Sequence, residues 1–211
     1  MTRTGVLVRS DSTAQLTPRG LAAICAYGVA TVIDLRTPAE LLRAPSPCAA
    51  HPGLAYLELP LIDDSMMLAL GEASGMFERY LVMLDGRMES FRAILEAVAG
   101  AEGGVVFHCF AGKDRTGLVA AMLLALAGVP DAAIAADFTE SDQQLAGKYR
   151  EWIAAAAPER RAEMREELRC PPERILGVLE HLRRKWGGIR GYLLAAGMSV
   201  IAIDRLGARL D

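Results

Sequence analysis

Two runs that water cannot comfortably surround lie almost back to back in this chain. "GGVVFHC" (103–109) is short, β-branched and nearly continuous in its apolar character, whereas "GLVAAMLLALAGV" (117–129) is longer and made of good helix formers. A strand without polar alternation has to be covered on both faces. The longer run falls short of the about 20 apolar residues that cross a bilayer. The pair therefore reads as a buried strand feeding a buried helix, which is the local signature of an α/β architecture.

Three further segments repeat the strand signal: "GVLVR" (5–9), "ATVIDL" (30–35) and "LAYLELP" (54–60). Helical patterns lie between them. Thr17 as N-cap, Pro18 at the first helical position and Gly28 as a stop frame one helix. Met66–Leu84 and Met88–Ala99 carry apolar residues at helical spacing. Gly128 and Pro130 end the apolar run that follows the fourth strand, and the C-terminal half is mostly helical. Strands alternating with helices predict a mainly parallel central sheet flanked by helices. No linker or repeat divides the chain, so a single domain is expected over 1–211. Residues 143–170 differ in character, with both signs of charge packed into "PERRAEMREELR"; they are either a solvated helix face or a helical lid or insertion.

Apolar residues make up 52% of the chain but aromatics only 6%, so the core must be built mostly from Ala, Val, Leu and Ile. A formal net charge of −3 gives no field to hold nucleic acid by phosphate neutralisation, and no nucleic-acid partner is expected. The start "MTRTGVLVRS" has no apolar signal-peptide stretch, and stable membrane insertion is not expected. Cys25, Cys48, Cys109 and Cys170 form no CxxC pair and no metal-ligand spacing with histidine, which argues for no metal and fits the reducing cytoplasm. Cys25 lies in a helical pattern and is expected to be buried. Cys170, before two prolines, is expected outside any site, and Cys48 in a mobile loop.

What joins the two apolar runs is "HCFAGKDRTG" (108–117). A loop at the end of a buried strand and the start of a buried helix aims backbone N–H groups into one space, beside the positive end of the helix dipole. Gly112 permits the tight nest geometry that binds anions. Arg115, six residues after Cys109, offers a fork of donors matched to two phosphate oxygens. A field of that kind lowers a thiol from its ordinary value of about 8.5 and leaves a thiolate at neutral pH, a nucleophile for phosphorus. The spacing fits no nucleotide-binding loop, because Phe107 stands where the first glycine belongs and Asp114 follows Lys113; nor does it contain a dinucleotide fingerprint.

The loop resembles the His-Cys-(x)5-Arg-Thr element of cysteine-dependent phosphatases, and most closely the bacterial tyrosine/lipid phosphatases with His-Cys-x-x-Gly-Lys-Asp-Arg-Thr-Gly. "VLVRSD" (6–11), "VATVIDLRTPAE" (29–40) and the tail from "PPERILGVLEHLRRKW" onward are similar to that family as well. Family members carry an Asn-Phe-Arg-Asp-Leu-Gly-Gly-like element ahead of the Arg-Ser-Asp stretch. The present sequence starts after it, so the resemblance does not describe residues 1–10. The likeness implies a protein-tyrosine-phosphatase-like fold. It also implies a phosphomonoester hydrolase that works through a phosphocysteine, without metal or organic cofactor.

Carried over residue by residue, Cys109 is the nucleophile and Arg115 the phosphate clamp. The amides of Phe110, Ala111, Gly112, Lys113, Asp114 and Arg115 bind phosphate oxygens, Thr116 steadies the leaving thiolate, and His108 orients the loop. Asp114, just before Arg115 as in phosphoinositide phosphatases, is the favoured general acid; Asp63 and Asp64, after a strand, are the alternative. Asp34 and Arg36, at a strand's carboxyl end, either face the crevice where ligands bind in open sheets or form a structural ion pair. The Lys113 ammonium would suit a multiply phosphorylated inositol head group, or else faces solvent. The expected substrates are phosphotyrosine in proteins first, then phosphoinositide or phosphoserine/threonine. A catalytically silent phosphate-binding module and a sulfur-transfer enzyme are the rivals.

Overall fold

The computed structural model describes residues 4–210. The first half runs β1 (Leu7–Ser10), α1 (Pro18–Ala26), β2 (Val29–Asp34), α2 (Pro38–Arg43), β3 (Ala55–Glu58), α3 (Met67–Glu72), α4 (Met76–Gly86) and α5 (Met88–Gly100). Next come β4 (Gly104–His108), α6 (Asp114–Leu126), α7 (Asp131–Gln144), α8 (Ala146–Ala155) and α9 (Arg161–Leu168). The chain ends with α10 (Pro172–Trp186), α11 (Ile189–Ala195) and α12 (Val200–Leu210). The four strands form one all-parallel sheet in the order β1-β4-β2-β3, flanked by helices as expected. Residues 1–3, part of the stretch on which the family resemblance is silent, lie outside the described residues.

Period-two alternation sorts the strand residues between two apolar layers. Ile33, Val105 and Phe107 pack into the larger one, with α5, α6 and the C-terminal helices. Val32 and Val106 face the smaller one, where Leu21 and Ile24 of α1 and Cys48 cover them. Helix α6 shows why its sequence is apolar on every side: Leu118 through Leu123 are all buried, between the sheet and the helices beyond it. Each fully buried leucine there contributes roughly 2 kcal/mol. Among the described residues, no helix is long and apolar enough to cross a membrane.

The register brings the carboxyl ends of three strands side by side. Ser10 of β1 and Asp34 of β2 both pair with His108 of β4, so whatever follows His108 is flanked on both sides. Ligands of open parallel sheets bind at these ends.

Several local expectations are corrected. The helix expected over Met66–Leu84 is two helices separated at Ala73–Gly75, where Ser74 and Gly75 are weak helix formers. The Glu78 carboxylate accepts the Ser74 amide at 2.6 Å and starts the second helix. Helix α2 was not foreseen, although "TPAE" is a capping box: the Thr37 side chain accepts the Glu40 amide and the Glu40 side chain accepts the Thr37 amide. Cys25 is only partly buried, because α1 buries no residue completely. Cys48 sits not in a mobile loop but in a 3-10 turn, Pro47–Ala50, that plugs the smaller core layer.

Candidate active site

The loop leaves β4 at His108 and enters α6 at Asp114. Gly112 has φ +70°, and a Cβ there would stand 2.4 Å from the Ser10 carbonyl oxygen, so conformation and space both demand glycine. On the β1 side the loop's carbonyls are occupied. The Ser12 amide donates to Phe110 O (3.1 Å), and Arg9 Nη2 donates to Gly112 O (3.0 Å). A trans peptide points its N–H opposite to its C=O. The amides of Ala111 and Lys113 therefore point away from β1, where an anion can meet the start of α6. Arg9 is itself held by Asp137 (2.5 Å) and Ser141 (2.9 Å) of α7, which gives the "VRSD" stretch a bracing role that its sequence does not disclose.

Arg115 lies on the first turn of α6 with its guanidinium mostly buried. Its Nη1 and Nη2 donate to the two carboxylate oxygens of Glu40 at 2.6 and 2.8 Å. Burial opposes its charge, but the Glu40 hydrogen bonds and the nearby Cys109 sulfur outweigh it and raise the pKa further above the usual arginine value. Burial likewise works against the Glu40 charge, and Arg115 outweighs it, so Glu40 stays below the ordinary carboxylate range. Glu40 also accepts the Thr37 amide at 2.7 Å. The capping box of α2 thus fixes the carboxylate that aims Arg115. Sequence reasoning missed Glu40, although it closes the "VATVIDLRTPAE" stretch.

Beneath the loop lies a dry polar network. Asp34 and Arg36 are 0% and 1% exposed. Arg36 donates to Asp34 through Nε (2.9 Å) and Nη2 (2.7 Å), and Tyr56 donates to the same carboxylate at 2.6 Å. The two side chains form a buried ion pair. Arg36 also donates to Ala44 O and Ser12 Oγ, tying the segments after β1 and β2 together. His108 is fully buried, with Nε2 2.9 Å from Thr13 Oγ1 and Nδ1 3.2 Å from Cys109 O. Burial lowers its pKa, which keeps the imidazole neutral near pH 7. Both ring nitrogens are engaged, Nδ1 with the Cys109 carbonyl and Nε2 with Thr13 Oγ1 and, at 3.3 Å, the Asp34 carboxylate.

Cys109 is itself buried, and Thr116 on the first turn of α6 is fully so; the Thr116 hydroxyl finds no hydrogen-bond partner among the described residues. Asp114 keeps its carboxyl partly open and accepts a 2.5 Å hydrogen bond from Tyr80 on α4. Asp63 has other duties. It caps the 3-10 turn Asp64–Met66 by accepting the Ser65 amide and pairs with Arg87 at 2.7 Å. Hydrogen bonds from Ser65, with Arg87 beside them, hold it below the ordinary carboxylate range. Asp64 lies exposed in the same turn.

The segment 143–170 lies against the loop. Phe110, 53% exposed, stacks on Trp152 of α8 with ring centroids 5.9 Å apart, and Lys148 pairs with Asp11. Lys113 does not present its ammonium to solvent. It is buried and donates to the carbonyls of Glu167 (2.8 Å) and Leu168 (3.1 Å), where a cation complements the negative end of α9. Cys170 does not lie apart from the loop as expected. It is fully buried next to the charges of Lys113, Asp114 and Asp142, and burial pushes its thiol up to about 12. Among the described residues, no group of three or more His, Cys, Asp or Glu is arranged to hold a metal ion.

The chain is similar to known proteins over nearly its whole length. A family model described as "Tyrosine phosphatase family" matches residues 1–210. A tyrosine-protein phosphatase of Nostoc commune is 32% identical over 217 residues, covering 96% of this chain and 73% of its own. The triple specificity protein phosphatase PtpB of Mycobacterium tuberculosis is 27% identical over 249 residues, covering 97% of this chain and 90% of its own.

Proposed function

The chain belongs to the tyrosine phosphatase family, and from that premise we propose that it hydrolyses phosphomonoesters, phosphotyrosine in proteins first, through a phosphocysteine formed on Cys109. The observation that carries this reading is the short distance along the chain from a buried cysteine at a strand end to an arginine already locked by Glu40. A silent phosphate-binding module needs the amides but not a nucleophile. A sulfur-transfer loop needs the cysteine but not the clamped arginine.

In the first step the Cys109 thiolate attacks phosphorus. The loop amides from Phe110 to Arg115 and the Arg115 guanidinium hold the three non-bridging oxygens, where charge gathers in the transition state. As the P–O bond to the leaving group breaks, Asp114 gives its proton to the departing oxygen. In the second step a water attacks the phosphocysteine, Asp114 takes one of its protons, and the S–P bond breaks to release phosphate and the thiolate. The Thr116 hydroxyl, unpartnered within the protein, donates to the sulfur as it departs. Asp114 is preferred over Asp63 because it stands in the loop itself, next to Arg115, whereas Asp63 is spent on capping its own turn and pairing with Arg87. Asp64 serves the same exposed turn.

Substrate choice follows from what stands around the loop. Phe110 and Trp152 make an aromatic wall along which an aryl ring can lie, consistent with residues 143–170 acting as a lid. The Lys113 ammonium is committed to α9, which weighs against its use on an inositol head group. Because the Mycobacterium relative is named for triple specificity, the test panel contains a phosphotyrosine peptide, a phosphoserine peptide and a phosphoinositide, assayed in EDTA. Turnover highest on the phosphotyrosine peptide supports the reading. Failure to turn over any of them, or p-nitrophenyl phosphate, while inorganic phosphate still binds, supports the silent module.

The acid assignment has its own signature. In kcat/KM, which reports the steps through phosphocysteine formation, Asp114→Asn should slow phenyl phosphate by roughly 10²-fold or more, yet slow p-nitrophenyl phosphate far less, because that leaving group needs little protonation. It should also flatten the basic limb of the kcat–pH profile. If Asp63→Asn or Asp64→Asn shows this pattern and Asp114→Asn does not, the acid sits on the turn after β3.

A further inference from the structure

We infer that Tyr80 is a positioning residue for the reaction: its hydroxyl holds one oxygen of Asp114 so that the other carries the proton toward the leaving group. The inference rests on the proposed role of Asp114 as general acid. Tyr80 comes from α4, 34 residues away in sequence, and is completely buried, its ring in edge-to-face contact with Phe138 of α7. A buried ring fixed on two sides leaves its hydroxyl little freedom. It donates to Asp114 Oδ1 at 2.5 Å.

The chemistry of that bond favours catalysis in two ways. First, it fixes the rotamer of a partly exposed carboxyl that could otherwise turn to solvent, and general acids act only when aimed. Second, a phenol donates more strongly to a carboxylate than to a carboxylic acid. The bond therefore strengthens as Asp114 gives up its proton, and the stabilisation is larger in the transition state than in the ground state. The hydroxyl stays a donor throughout the working range, since burial and the adjacent Asp114 charge raise its pKa well above the usual tyrosine value.

Other groups face the same carboxyl and set the background against which Tyr80 acts. The Lys113 ammonium stands 3.5 Å from Oδ1. Arg115 follows Asp114 on α6, Tyr149 faces it from α8 and Cys170 from the end of α9. Arg174 of α10 acts on Tyr80. None of these is removed by Tyr80→Phe, which deletes one oxygen and keeps the ring packed.

The experiment measures kcat/KM, which reports the steps through phosphocysteine formation, for Tyr80→Phe, Asp114→Asn and the double variant, with phenyl phosphate and p-nitrophenyl phosphate as substrates. Tyr80→Phe is expected to slow phenyl phosphate roughly tenfold, the value of a hydrogen bond to a charged group, and p-nitrophenyl phosphate less than about threefold. The difference between the two substrates is the signature, because a donor that acts only on proton transfer matters less as the leaving group improves. In the double variant Tyr80→Phe should add nothing to Asp114→Asn, because the two act as one unit. Equal slowing of both substrates by Tyr80→Phe, beside a normal Asp114→Asn signature, would overturn the role of Tyr80 and leave the acid assignment standing. Additive effects in the double variant would overturn it too. If Asp114→Asn itself lacks the signature, the acid assignment fails and this inference with it.

Discussion

Cys109→Ser should lower turnover of any substrate by at least about a thousandfold, the scale of loss when a covalent nucleophile is removed. A serine hydroxyl is a poor nucleophile at neutral pH without an adjacent base. The nearest imidazole, His108, has both nitrogens engaged, with Thr13 and with the Cys109 carbonyl, and cannot serve. The same substitution should leave phosphate and vanadate binding nearly intact. The cradle is made by amides whose carbonyls are held from behind by Arg9 and Ser12, and by Arg115, whose anchor is Glu40. Binding can be followed by calorimetry with orthovanadate. Residual turnover above a thousandth of the wild-type rate would remove the phosphocysteine route.

Arg115→Ala should fail on both counts, losing anion binding and about 10²–10⁴-fold in turnover, as expected for a charged donor aimed at the transition state. The geometry adds a second reason. Without the guanidinium, the half-buried Glu40 carboxylate still points at the site, held by the Thr37 amide, and repels the phosphate it formerly helped to bind. Arg115→Lys should recover little, because a point charge cannot reproduce a two-point bond to Glu40. Combining Arg115→Ala with Glu40→Gln is the informative control. If the double variant regains part of the phosphate affinity lost by Arg115→Ala, the repulsion is real; if it regains none, Glu40 does not face the anion.

The candidate site was legible where it is written in consecutive residues. Cys109, Gly112, Asp114, Arg115 and Thr116 sit within a single strand–loop–helix turn, and β2 and β4 were visible because a covered parallel strand has no polar alternation to hide it, while the less covered β1 and β3 showed as short apolar runs. What could not be read is what reaches the loop from afar. Glu40 meets Arg115 across 75 residues, Arg9 meets the Gly112 carbonyl across 103, and nothing local to Tyr80 announces Asp114. Even so, the Thr37–Glu40 capping box was present as a pattern, and reading it would have placed α2.

Lys113 and Cys170 mislead for a related reason. A lysine in a phosphate loop and a cysteine before two prolines both suggest exposure, until α9 folds back and buries them against each other's surroundings. Cys48 was misread because a Pro-rich turn looks mobile in sequence, whereas this one closes the thin side of the sheet.

The most direct test is to catch the intermediate. Wild-type protein mixed with p-nitrophenyl phosphate, quenched within the first turnovers and digested, should yield a peptide spanning Cys109 that carries a phosphoryl group on sulfur. Asp114→Asn should accumulate more of it, since the same carboxylate is proposed to activate the hydrolytic water, and Cys109→Ser should show none. A phosphoryl group on any other residue, or full burst-phase turnover with Cys109 unmodified at every quench time, would contradict the account.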